Sequence, residues 1–152
     1  MVLLSVLGVF LWRTLKRRKE PQSATNSEAI SAMPDLADDH IKADELPADQ
    51  WMVMAKELMD RGEFRLALRT LYLSILAHLA EDEMITIAQY KSNRDYKREL
   101  GRRCHEREGL LAFFSENVKI FDRSWYGMHE VTREDMEVFS ENQERIVKFV
   151  NQ

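Results

Sequence analysis

The stretch "AKELMDRGEFRLALRTLYLSILAHL", Ala55 to Leu79, decides how this chain folds. Ala55, Leu58, Gly62, Phe64, Ala67, Leu71 and Ser74 stand at the spacing of two short helices around a glycine. Upstream, Pro47 to Asp49 marks a helix start, and Trp51, Met54, Ala55, Leu58 and Met59 form its apolar stripe. Gly62 stops that helix as a left-handed terminal residue would. The second helix then carries Phe64, Ala67, Leu68, Leu71, Tyr72, Ile75 and Leu79 on one face, and small Ala67 and Ser74 let the preceding helix come close.

This pair is tetratricopeptide-like, so a repeat is the next expectation to test. A shift by the usual period of about 34 residues lands on "YKRELGRRCHEREG", which has no matching Gly-x-Phe-x-x-Ala. Repeats bury their cores only by stacking, so one hairpin predicts a bundle rather than an array. Met84 to Ile87 is β-prone but too short for a sheet. Ser92 with Asp95 forms a capping-box pattern that starts a third helix near Asn93. A fourth follows Gly109, striped by Leu110, Phe113, Phe114, Val118, Phe121 and Trp125, and ends at "RSWYG", where Gly127 supplies the stop. Thr132 with Asp135 caps a fifth, faced by Met136, Phe139, Gln143, Ile146, Val147 and Val150. The sequence thus predicts an all-α fold, a compact bundle of about five helices with a tetratricopeptide-like first hairpin.

Charge divides the chain into three zones. The net charge of −4 conceals +5 over residues 1–19, −7 over residues 20–50 and −2 from Trp51 onward. The acid excess argues against a nucleic-acid binder, and the lone Cys104 excludes an internal disulfide. "MVLLSVLGVFLW" carries no charge and is followed at once by "RTLKRRK". A secretory signal would place its bases before the apolar run; the reverse order resembles the cytoplasmic end of a membrane span. Twelve to fifteen such residues reach only about 18–22 Å as helix, short of a bilayer core of about 30 Å. Either a longer span is cut at residue 1 or a short anchor thins the bilayer. The expected organisation is a membrane anchor and basic flank over residues 1–19, with residues 1–15 in the membrane, a flexible acidic linker over 20–48, and a helical domain over 49–152 on the cytoplasmic side of the inner or plasma membrane. The linker, rich in Pro, Ser, Ala and Asp, has too few apolar residues to offset its ordering entropy. In it, His40 beside Asp38 and Asp39 reads as a solvated loop rather than a metal site.

Three blocks stand in order: "GEFRLALRTLYLSIL", "KSNRDYKREL" and "FDRSWYG". In that combination the chain, from about Trp51 to its end, resembles the C-terminal domain of bacterial protein-glutamine gamma-glutamyltransferase-like (transglutaminase-like) membrane proteins, itself a domain of unknown function. The resemblance implies a helical domain behind a last membrane span and a linker, with an AAA-type ATPase or von Willebrand A-type system as the kind of partner. The family favours Thr-Asn where this chain has Ser92-Asn93; serine caps comparably. Transglutaminase-like chemistry would need an activated cysteine with His and Asp partners. Cys104 lies toward the end of a basic helix with His105 turned roughly 100° away, so the resemblance concerns the accessory domain, not the enzyme.

No catalytic, cofactor or metal residues are therefore expected. Two surfaces are candidates for partner contact. On the third helix Arg94, Arg98 and Arg102 fall at i, i+4 and i+8, a basic stripe suited to an anionic membrane leaflet, an acidic partner or the acidic linker. At the end of the fourth, adjacent Trp125 and Tyr126 cannot both face the core, and Asn93 and Tyr96 are expected to meet them in space. The functional expectation is a membrane-tethered cytoplasmic helical protein-interaction module without catalysis; the alternative is an accessory domain of a transglutaminase-like enzyme in the same chain.

Overall fold

The structure is a computed structural model that describes residues 34–152; the expected anchor and the first part of the expected linker lie outside them. Five α-helices are present among the described residues: α1 (Ala48–Asp60), α2 (Phe64–Glu81), α3 (Asn93–Arg103), α4 (Leu110–Trp125) and α5 (Arg133–Val150). None of them is long and apolar enough to cross a membrane. No strand forms among the described residues, in keeping with the all-α expectation.

The turns follow from local chemistry. Gly62 takes φ +74°, its N–H reaches the Met59 carbonyl at 3.0 Å, and the Glu63 N–H reaches Leu58 at 2.9 Å. This pair of hydrogen bonds closes the end of α1 in the left-handed way that glycine favours. At the other end of α1, Pro47 offers no capping side chain, and Glu81 of α2 supplies the missing acceptor to the Ala48 N–H at 3.0 Å. Both capping boxes are formed: Ser92 Oγ accepts from the Asp95 N–H and Thr132 Oγ1 from the Asp135 N–H, each carboxylate answering to the cap residue's own N–H.

Gly127 ends α4 by a different route from the expected one. Its φ is not left-handed; Met128 takes that conformation instead, at φ +57°. Glycine is needed because a Cβ at 127 would lie 2.5 Å from the Arg123 carbonyl oxygen.

The core is organised around α2. Ala67 to Ala77 are all buried, as is Leu79, so this helix is covered on every side rather than on the one face expected. α1 lies along it as an antiparallel neighbour, α4 and α5 cover other sides, and Trp51, Phe114, Phe139 and Ile146 fill the spaces between. Several polar groups inside this core are paired. Ser74 donates to the Ala48 carbonyl and accepts from Gln143, while Asn142 donates to Asn117, which donates to the Phe139 carbonyl.

The linker expectation needs correction. Residues 34–46 do not float as a tether but cross the bundle as a strap, with Leu36 and Ala43 buried and Ile41 and Leu46 packed against the core. A 3₁₀ turn, Ala43–Glu45, sets the Ala43 carbonyl to accept from the Trp51 indole at 2.8 Å. The compact unit therefore begins at Pro34, not at residue 49. Composition hid this, because four well-placed apolar side chains suffice when a preformed bundle receives them.

The loop between α2 and α3 is held by a buried carboxylate. Glu99 accepts from the Thr86 N–H at 3.1 Å, from Lys91 at 2.5 Å and from Arg103 at 2.7 Å. Burial raises the Glu99 pKa, but Lys91, Arg103 and Thr86 outweigh it and hold it below its ordinary value. A depressed carboxylate stabilises the fold fully above its unfolded pKa, about 4.3, and that stability is lost as pH falls through the folded value. The thermal midpoint is expected to drop on acidification below about pH 4.5. Glu99→Gln should cost about 2 kcal/mol at neutral pH and make that drop shallower, as read by thermal melts across pH; an equally steep drop in the variant would show that Glu99 does not carry it.

Candidate functional site

The "RSWYG" turn brings the aromatic pair to one corner of the bundle. Trp125 is 8 % exposed and Tyr126 66 % exposed, so one packs inward and its neighbour lies at the rim, as adjacent helical positions require. Trp125 stacks on Phe121 at 6.2 Å, Phe121 stacks on Tyr72 at 4.3 Å, and Tyr126 meets Phe121 edge-on at 6.0 Å.

Two arginines of α2 grip the tryptophan. Arg69 places its guanidinium carbon 4.3 Å from the ring centroid and Arg65 lies at 4.7 Å. Arg65 also donates to the Trp125 carbonyl at 2.9 Å and to the Met128 sulfur at 3.2 Å. The strap closes the other side. Arg69 Nη2 donates to the Asp38 carbonyl at 2.6 Å, and the Trp125 indole donates to the Asp39 carboxylate at 3.1 Å. Arg69 Nη1 lies 3.8 Å from that carboxylate, a loose ion pair, and the buried Arg69 Nε–H has no acceptor. Burial lowers the Arg69 pKa against the opposing pull of Asp39, Tyr126 and Asp38, yet a guanidinium stays charged.

Beside this assembly lies a cavity of about 140 Å³, bordered by Arg69, Tyr72, Asn93, Tyr96, Tyr126 and the strap residues Asp39 to Ala43. Tyr72 donates to Asn93 at 2.8 Å, and Asn93 in turn donates to Asp122 at 2.6 Å, one turn before Tyr126. Tyr96 donates to the Ala88 carbonyl at 3.2 Å. Asn93 and Tyr96 thus border the same cavity as Tyr126, while Trp125 is not part of its wall.

Arg94, Arg98 and Arg102 are all exposed on α3 but do not join this site. Helical geometry turns them at least about 100° away from Asn93 and Tyr96. Arg98 lies 3.7 Å from Asp95, and among the described residues Arg94 and Arg102 make no ion pair. The neighbouring bases Lys91, Arg103 and Arg107 are drawn off to Glu99 and to the Phe149 carbonyl.

Sequence reasoning missed Arg69 and Asp39. The available signal was a lone charge at the centre of "LALRTLYL", which an all-round buried helix cannot leave without partners. Among the described residues no group of His, Cys, Asp and Glu could hold a metal; His40 instead turns its backbone N–H onto Asp38. Cys104 caps the end of α3, where burial pushes its thiol pKa up, opposite to what a nucleophile needs. No protein-family model, curated protein or solved structure matches the chain.

Truncating the two aromatics separates their roles. Trp125→Ala is expected to cost about 3–5 kcal/mol in urea unfolding, while Tyr126→Ala costs about 0.5 kcal/mol. Equal costs would mean that Trp125 does not hold the corner together.

Proposed function

We propose that the helical unit is a protein-docking module, itself without catalysis, that meets its partner at the aromatic corner. The observation that carries this reading is Tyr126, a large aromatic held two-thirds exposed at the rim of a preformed polar cavity by a rigid, buried neighbour. Rigid aromatics beside a desolvated pocket are where binding energy concentrates. The unexplained exposure of Met128 at 71 % widens the same corner. No triad of nucleophile, base and orienting group borders the cavity, and its Tyr72, Asn93 and Tyr96 are engaged in structural hydrogen bonds.

The same proposal places the module in the cytoplasm, held to the inner or plasma membrane through residues 1–15. The uncharged run to Trp12 and the basic flank that follows it support that placement. The three sequence blocks that resemble the transglutaminase-associated C-terminal domain support an AAA-type ATPase or a von Willebrand A-type protein as the partner.

Crosslinking of the membrane-embedded chain in its own cells tests the docking surface, because the 66 % exposed Tyr126 is expected to be replaceable without unfolding the bundle. Tyr126→Ala is expected to weaken capture of a specific partner by about 30-fold, while Arg94→Ala, Arg98→Ala and Arg102→Ala together leave it in place. Capture that survives Tyr126→Ala but not the triple arginine change would move the contact surface to α3. No specific partner with any form of the chain would overturn the docking reading.

A further inference from the structure

Arg69 is a buried cation whose pairing is incomplete. It is 5 % exposed, its only carboxylate neighbour stands at a loose 3.8 Å, and its Nε–H meets no acceptor although it is sealed from solvent. Orphaned donors of this kind are costly and rare in folded proteins. Arg69 borders a cavity, and the cavity wall adds Lys42 and Lys91 to the positive side against Asp39 alone among its carboxylates. Lys91 is spent on Glu99 and Lys42 lies exposed, so Arg69 is the buried cation with capacity left over.

The chain displays which chemistry suits this place. The strap already presents a carboxylate to the Trp125 indole and a backbone carbonyl to the Arg69 guanidinium. An Asp-Asp pair in a turn of the strap therefore satisfies two of the available donors and leaves Arg69 Nη1 with only a 3.8 Å contact to Asp39. The cavity of about 140 Å³ matches the size known to admit a benzene-sized group, which is room for one aspartate or glutamate side chain and not for a nucleotide or a sugar.

We propose that this cavity takes an acidic side chain from an acidic segment of the partner protein, with Arg69 as the anchoring cation and Tyr126 as the rim contact. The proposal rests on the docking reading and gives that partner its chemistry. The Asp39 carboxylate competes with the incoming one for the same guanidinium, so the strap sets the affinity as well as closing the site. Bidentate geometry favours arginine over lysine for such a task.

The test uses the full chain in detergent micelles with ¹⁵N-labelled tryptophan, following the Trp125 indole signal. The probes are an N-acetylated, C-amidated tri-aspartate peptide, its tri-asparagine counterpart and acetate. Tri-aspartate is expected to shift the signal and saturate at a concentration at least about tenfold below acetate, and tri-asparagine to leave it unmoved. Asp39→Asn should tighten tri-aspartate binding by about fivefold, the size of effect removal of one nearby charge produces. Arg69→Gln should abolish it with the helical circular dichroism retained; if that variant unfolds, Tyr126→Ala should still weaken binding in a folded chain. No shift with tri-aspartate, equal shifts with tri-asparagine, or saturation by acetate at the same concentration would each overturn the acidic-segment proposal. Crosslinking to a partner through Tyr126 would survive such a result, so the two readings fail separately.

Discussion

A helix that must be covered on every side governs this fold. α2 buries Ala67 to Ala77 without a break, and an isolated helix of that composition has no stable solution in water. α1, α4 and α5 each take one side of it, which is why a single tetratricopeptide-like hairpin here closes into a bundle instead of repeating. Burial of each leucine or isoleucine along it is worth about 1.5–3 kcal/mol, and the small side chains of Ala67 and Ser74 let α1 approach closely enough to collect that gain.

The same constraint explains the polar details. A helix wrapped all round cannot hide Thr70, Ser74 and Arg69 from accounting, because every buried donor needs an acceptor. Thr70 turns back to the Leu66 carbonyl, and Ser74 joins Ala48 and Gln143. Arg69 has no such partner within the helices. Its needs are met, in part, by the strap and by the face of Trp125. The strap is thus a consequence of a buried charge as much as of its own apolar residues, and the cavity beside it marks where that compensation stops.

Those features whose causes are local were legible in the sequence. Gly62, the Ser92–Asp95 and Thr132–Asp135 boxes and the start of α4 after Gly109 each depend on residues within a few positions of one another. The inward Trp125 and outward Tyr126 followed from helical geometry alone. What escaped were interactions across long separations: the Trp125 indole finds Asp39 across 86 positions, and Arg69 finds Asp38 across 31. Acidic composition over residues 34–48 resembled a linker because nothing local shows that two distant aromatic and cationic groups await those carboxylates. Gly127 was correctly marked as a stop, but the reason, a carbonyl too close for any Cβ, belongs to the folded turn.

Everything proposed for the corner depends on the strap being seated on Arg69 and Trp125. Hydrogen exchange at the tryptophan indoles of the full chain in detergent micelles reads this directly, since Trp51 and Trp125 each donate their indole N–H to the strap. Both indole protons should exchange at least about a hundredfold more slowly than a free indole, because exchange requires the strap to lift. Free exchange at both positions, with the amides of α2 still protected, would contradict the account and return residues 34–46 to a tether.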